Sequence, residues 1–444
     1  MQIEPSPHNP LSPNKPSISS QGAAGLSKVP PGDIAVGVIV GRSSEYFDFF
    51  VYAIASVLVF PSVFFPQSTA LNGTLQSFAV FALAFIARPF GTVAFMALQS
   101  RWGRQTKLTA ALLLLGVCTA GIAFLPGTAS IGSSAVVLLT LLRIGQGLAI
   151  GGSWDGLPSL LAINAPPHRR GWYAMLGQLG APLGFALAAG LFAFLLSALN
   201  AKDFIAWGWR YPFYVAFAIN VVALFARLRL VSTDDYDRLM EALALRPTSI
   251  REMAKTQGYN VLVGALAALA SYALFHVVTV FPLSWIKLFT QRSITEFLLV
   301  QMVGAALAGV CMLLSGIIAD QFGRRTTLGW TAAAIAAFSG LAPNLLQAGT
   351  LGESLFIFLG FSLLGLSYGQ ASGAVTANFK PEYRYTGAAL THDLAWLTGA
   401  AFAPLITLGL SAHFGLSYLG LYLLTGAAGS LAALSLNRAL ELKD

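Results

Sequence analysis

Apolar stretches long enough to cross a bilayer recur along this chain and leave little room for any other kind of fold. An α-helix rises ~1.5 Å per residue, so ~20 apolar residues cross a ~30 Å hydrocarbon core. Twelve such spans can be read, at 34–60, 72–99, 106–125, 133–164, 172–200, 209–230, 258–287, 294–319, 326–347, 353–378, 385–411 and 414–437. Only 10% of the 444 residues are charged, against roughly 25% in a soluble domain. The expectation is an all-α membrane protein. No soluble catalytic domain fits between the spans, and no nucleophile with a base, metal-ligand spacing or cofactor motif stands out, so an enzyme is not expected. Cys118 and Cys311 lie inside spans and read as packing residues.

The charged residues that remain organise the chain. Residues 1–33 are rich in Pro, Ser, Gly and Asn without an apolar h-region, and read as a disordered tail. A hydrophilic connector, 231–257, divides the spans into an N-terminal half (34–230) and a C-terminal half (258–437), followed by a short tail, 438–444. The loops on one side hold only Lys202, Arg210, Lys287 and Arg292, whereas most other basic residues lie in the tails and opposite loops. Such a bias places both termini and the connector in the cytoplasm. It also explains the +8 net charge without nucleic acid. The halves repeat: SRWGRQTKL after span 2 corresponds to ADQFGRRTTL after span 8. A parallel repeat of six spans is the plan of many secondary transporters, with the site between the halves at mid-membrane.

Several ionisable groups fall inside the spans. Glu45, Asp48 and Tyr52 are spaced i, i+3, i+7 on one face of span 1. A carboxylate there costs roughly 2.5–3.5 kcal/mol on insertion scales, so that face is expected to line a cavity on a proton or ion path. Asp48 is the leading proton carrier and Glu45 the second. Arg88 in span 2 either receives a substrate carboxylate bidentately or pairs with Glu45 or Asp48. Arg143 in span 4 is expected at the depth of Asp48, where it sets that acid's proton affinity or pins a helix, and Gln146 lies one turn on. His276 is either a titrating group or a packing residue. Asp393, next to His392 in span 11, either faces a zwitterion opposite Arg88 or pairs with Lys380 or Arg384. RIGQGLAIGG (143–152) lies in an apolar run without Lys-Ser/Thr, so its glycines read as a helix-packing seam and not as a phosphate loop.

Five motifs in order, EYFDFFVY (45–52), ARPFG (87–91), RIGQGLAIGG, WGWRYPF (207–213) and RYTG (384–387), resemble the major facilitator superfamily, and within it the metabolite:proton symporters of α-ketoglutarate, citrate, shikimate and proline/betaine. The resemblance implies proton-coupled uptake of a small organic anion or zwitterion, with the proton as coupling ion and no cofactor. It also implies an integral bacterial inner-membrane protein working as a monomer. Arg88 matches an arginine that is a substrate-binding candidate in the family. Gating is implied for Arg101, Gly103 and Arg104 after span 2 and for Gly316, Asp320, Gly323, Arg324 and Arg325 around the loop after span 8. The chain departs from the family where acids give way to Ser100, Ser153 and Asn164, while Asp155 appears nearby. The N-half latch is therefore expected to be weakened or rebuilt around Asp155. An exporter, suggested by Gly177–Gly184 in span 5, and a non-transporting sensor remain the alternatives.

Overall fold

Gly103 and Gly323 hold the same place in the two halves, and both adopt a left-handed backbone, φ 84° and φ 86°, which favours glycine. Each turns one membrane helix sharply into the next. The computed structural model describes residues 31–153, 165–231, 247–376 and 379–436. Among these it contains helices and turns and no strand. Twelve long helices follow in order. In the N-half they are α1 (Pro31–Leu58), α2 and α3 (70–102 and 104–124, one run bent at Gly103), α4 (Ser134–Gly152), α5 (Arg170–Ala198, interrupted at 177–179) and α6 (Tyr211–Val231). In the C-half they are α7 (segments Ile250–Ala267, Leu269–Thr279 and Phe281–Phe289), α8 (Ile294–Phe322), α9 (Arg324–Gln347), α10 (Gly349–Thr376), α11 (Arg384–Phe414, with a π-turn at Trp396–Ala400) and α12 (Ser417–Leu436).

The long helices overlap the expected spans, with two shifted starts. Helix α1 begins at Pro31, inside the expected tail, and α7 begins at Ile250, inside the expected connector. That early turn is tied down, because Tyr383 donates to Glu252 at 2.6 Å and Thr248 N–H donates to Thr386 Oγ1 at 2.9 Å. Asp155 and Asn164 lie outside the described residues, as does most of the connector. Cys118 and Cys311 are free thiols.

Small residues set the packing. A Cβ on Gly91, Gly147 or Gly151 would fall 2.1–2.3 Å from the Leu148, Ala84 or Arg88 carbonyl oxygen, so α2 and α4 touch along their backbones. The glycine-rich motif is that seam. In the C-half a Cβ on Gly365 would meet the Ala308 oxygen at 2.3 Å, joining α10 to α8. Gly180 and Gly184 seat α5 on the α1 backbone at Arg42–Ser43 and Tyr46–Phe47. Large apolar side chains such as Val117, Phe124, Phe194 and Leu351 point outward, where lipid is the solvent. The connector side carries the start of α1 and the Gly103 and Gly323 turns, and the far side is opposite.

Candidate functional site

A pocket opens where the halves meet, with about 510 Å³ of space between atoms that includes the open solvent at its mouth. Its walls come from α1 (Arg42, Glu45, Tyr46, Phe49), α2 (Ala84, Phe85, Arg88), α4 (Ile150) and α11 (His392, Trp396). The α2–α4 seam fixes the depth of Arg88, since Gly151 packs on the Arg88 backbone itself. The π-turn at Trp396–Ala400 begins three residues after Asp393, and such turns often occur at functional sites.

Arg88 meets neither Glu45 nor Asp48 in an ion pair. Its Nε lies 2.7 Å from Asp393 Oδ1, across the boundary between the halves. Thr92 Oγ1 donates to the other Asp393 oxygen at 2.5 Å. Asp393 therefore pairs with α2, and not with Lys380 or Arg384. Of the two adjacent residues in α11 it is His392 that lines the pocket. Trp396 Nε1 can only donate, so His392 Nε2 accepts at 3.2 Å. Neutral His392 then carries its proton on Nδ1, 2.9 Å from the Tyr272 hydroxyl. Tyr46 and Tyr368 hydrogen-bond through their hydroxyls across the halves.

Glu45, Asp48 and Tyr52 do not share one environment. Glu45 lines the pocket, accepts from Arg42 Nη1 at 2.8 Å and lies 3.4 Å from Ser153 Oγ. Asp48 and Tyr52 turn into the N-half bundle instead. Three residues rotate a helix about 60° from the starting direction, and at the depth of Asp48 that direction faces α3 and α6. Thr119 of α3 donates toward both Asp48 oxygens (3.0 and 2.9 Å), and Asn220 of α6 donates at 3.1 Å. The expected meeting of Asp48 with Arg143 is indirect. Arg143 Nη1 donates to Gln146 Oε1 (3.0 Å), Gln146 Nε2 to Thr119 Oγ1 (2.9 Å), and Thr119 to Asp48. Arg143 also packs over the Tyr52 ring, 3.8 Å from its centre, a cation–π contact in a desolvated setting. His276 lies behind the pocket, stacked on Phe49 at 5.4 Å.

Bridges between the halves cross both ends of the pocket. On the connector side Asp320 accepts from the backbone N–H groups of Gly171 (2.6 Å) and Trp172 (3.2 Å), at the start of α5. Gly171 and Gly316 allow that approach, since a Cβ on either would press on the opposite helix. The position matching Asp320 in the other half is Ser100, beside Gln99. There Lys107, 1% exposed, donates to Gln99 Oε1 (3.2 Å) and to the Tyr385 hydroxyl of α11 (2.9 Å). On the far side Lys287 donates to the Val57 and Leu58 carbonyl oxygens (2.7 and 3.2 Å), the end of α1. Both ends thus place a C-half charge on an N-half helix terminus, with the sign that suits its exposed backbone groups.

The other gating candidates sit on the connector side. Arg324 donates to the Gly373 oxygen and Arg325 to the Leu434 oxygen, both within the C-half. Arg101 is exposed and Arg104 half-buried. Sequence reasoning missed Arg42, Thr92, Lys107, Thr119, Asn220 and Lys287. Arg42 had a signal, being three residues before Glu45 on the same helix. The neutral Thr119 and Asn220 had none.

The Major Facilitator Superfamily model matches residues 47–404. The chain is 37% identical over 411 residues to the inner membrane metabolite transport protein YhjE of Escherichia coli, covering 91% of this chain and 93% of that one. It is 28% identical to the citrate-proton symporter of Klebsiella pneumoniae over 393 residues, 86% of this chain and 87% of the relative. Among solved structures, a D-xylose-proton symporter superposes with a TM-score of 0.69 at 19% identity, covering 91% of this chain and 97% of that one.

Proposed function

Because the chain belongs to the major facilitator superfamily, whose members transport and do not catalyse, we propose that it carries a small organic carboxylate or zwitterion into the cell together with a proton, by alternating access. The observation that carries this reading is the buried pair of Arg88, which lines the pocket, with Asp393 behind it. A guanidinium that already grips one carboxylate presents the geometry to grip another. A substrate carboxylate entering the pocket takes the place of Asp393 on Arg88. Asp393 is then free to face a positive group on the substrate or to let α11 part from α2. Ligand binding and the contact between the halves are thereby exchanged for one another, which is the differential interaction a conformational change requires.

Asp48 is assigned the proton. Among the described residues its oxygens accept from Thr119 and Asn220 and form no ion pair, so protonation breaks no salt bridge. The chain through Thr119 and Gln146 to Arg143 links its charge state to α3 and α4. Glu45, paired with Arg42 on the pocket wall, is the second acid on the path. Inward movement of a proton gains roughly 2.3 kcal/mol per 100 mV, enough to concentrate a substrate. The similarity to a citrate-proton symporter supports both the carboxylate and the coupling ion. The charge bias of the loops supports a cytoplasmic connector side, and a bacterial inner membrane is the expected location.

Purified protein in proteoliposomes tests this reading. Thermal unfolding is followed with mono-, di- and tricarboxylates, betaine and neutral sugars, and flux is then measured for the binders. Carboxylates or zwitterions are expected to stabilise the wild type and to do nothing for Arg88→Gln. Stabilisation by sugars alone would remove Arg88 from the substrate site.

A further inference from the structure

Four aromatic rings line the pocket itself: Tyr46 and Phe49 of α1, Phe85 of α2 and Trp396 of α11. They form a continuous wall. The Trp396 ring lies 5.6 Å from Phe85 between centres and nearly parallel to it, at 20°, with Phe49 at 6.0 Å and Tyr46 at 6.5 Å. Phe49 meets Phe85 edge-on at 5.7 Å. Each ring stands one helical turn from a charged group of the site. Tyr46 follows Arg42 by four residues and Phe49 follows Glu45 by four, while Phe85 precedes Arg88 by three and Trp396 follows Asp393 by three. Residues so spaced are neighbours on one helix face, about 5–6 Å apart. A carboxylate on Arg88 therefore has rings beside it, at the reach of a group joined to the carboxyl carbon directly or through one or two more.

This wall presents rings and no hydrogen bonds. Of the four, only Tyr46 and Trp396 carry a donor, and both donors are used elsewhere. The Tyr46 hydroxyl bonds to the Tyr368 hydroxyl, and Trp396 Nε1 donates to His392 Nε2. The other nitrogen of His392 is held by Tyr272 at 2.9 Å. Ala84 and Ile150 extend the apolar lining. A ligand hydroxyl turned toward these side chains gives up its water without a replacement, the costly case for a buried polar group.

The charged groups of the site are already balanced. Arg42 holds Glu45 at 2.8 Å and Arg88 holds Asp393 at 2.7 Å. A ligand with one carboxylate exchanges one anion for another on Arg88. Each further carboxylate would enter the pocket without a cation of its own, and a buried charge left unpaired is costly.

We infer that the pocket selects an aromatic monocarboxylate, with its one carboxyl group on Arg88 and a flat ring bare of hydroxyls against Phe85 and Trp396, over hydroxylated ring acids and polycarboxylates. The inference rests on the carboxylate reading of Arg88. A flat ring makes offset-stacked or edge-on contacts with these side chains that a saturated ring of the same size cannot make, which is what the wall adds to plain apolar burial.

Thermal unfolding of the full-length protein in detergent tests this. The ligands are benzoate and phenylacetate, each beside its cyclohexyl counterpart, with 3,4,5-trihydroxybenzoate, citrate and betaine. The wild type is expected to bind the better aromatic acid at least fivefold tighter than its saturated counterpart, and at least tenfold tighter than the trihydroxy acid or citrate. Phe85→Leu and Phe49→Leu, which keep apolar side chains, should bring the aromatic-to-saturated ratio toward one. Equal binding of aromatic and saturated acids by the wild type, a ratio unchanged in both variants, or tighter binding of citrate or the trihydroxy acid overturns the inference. If the binding that remains is lost in Arg88→Gln, the carboxylate reading of Arg88 stands. Betaine binding tighter than both aromatic acids would give the rings to a quaternary cation and overturn the inference as well. Failure of every acid to bind would remove the Arg88 reading and this inference together.

Discussion

Arg88 on α2 and Asp393 on α11 form a 2.7 Å ion pair between the two halves of the molecule, and Thr92, one turn from Arg88, holds the second Asp393 oxygen at 2.5 Å. The halves are thus closed over the pocket by the group proposed to receive the substrate. Removing one partner of a buried pair strands the other charge, at a cost of about 3–5 kcal/mol. Asp393→Asn should therefore lower the melting temperature of the ligand-free protein. The same change leaves Arg88 without a competitor. A carboxylate that binds the wild type should bind the variant about tenfold tighter and restore most of the lost stability. Thermal unfolding with and without the acid reads both effects.

The far-side bridge rests on Lys287, which reaches the last carbonyls of α1. Hydrogen bonds to charged groups contribute about 1.5–3 kcal/mol each. Lys287→Met is expected to shift the population toward a state open on that side. In a background lacking Cys118 and Cys311, a cysteine placed at Ala53, which is fully buried, should react with impermeant maleimide at least tenfold faster in the Met variant. An unchanged rate would mean that Lys287 closes nothing.

Asp320→Asn is expected to act on the opposite side. The amide still accepts one bond from α5 but loses the charge that suits the N-H groups of Gly171 and Trp172. The state open toward the connector gains population, and labelling at Ala53 from the far side should fall.

How far these features could be read beforehand depended on whether a residue's chemistry was out of place in its surroundings. Arg88, Arg143, Glu45 and Asp48 announced themselves because a charge inside an apolar run has no cheap alternative. Gly103 and Gly323 were legible as a repeat, and the glycines of the 143–152 motif as a seam. Lys107 and Lys287 were not, because each lies near a span end where a lysine ordinarily reaches water, and only the tertiary structure buries them. Thr119 and Asn220 carry no charge and follow no periodicity, so the shared depth of Arg143 and Asp48 is legible but the hydroxyl that joins them is not. The direction of Asp48 is hidden for a related reason. Helical spacing says which residues share a face but not whether that face meets the pocket or another helix.

Thr119 provides a check on the link itself. Thr119→Val removes the hydroxyl that joins Gln146 to Asp48 at nearly unchanged volume. Proton-coupled flux should fall several-fold, and Thr119→Ser should restore it. Equal flux in the Val and Ser variants would show that the hydroxyl has no part in coupling.

The α2–α4 seam should tolerate almost nothing. Gly151→Val places atoms where the Arg88 carbonyl already lies, and overpacking of this kind costs about 1–3 kcal/mol. Gly340, which has nothing within 4 Å of a built Cβ, accepts alanine without loss. Melting temperatures of the two variants should differ by several degrees.

The transport predictions depend on the proposal that a carboxylate and a proton move inward together through Asp48. The most direct measurement is internal pH in proteoliposomes when citrate, a smaller dicarboxylate or a monocarboxylate is added outside, for the wild type and for Asp48→Asn. Acidification of the lumen by at least one of these acids is expected in the wild type and none in the variant, while the variant still exchanges labelled acid across the membrane. Alkalinisation of the lumen, or acidification of equal size in both proteins, would contradict the proposal.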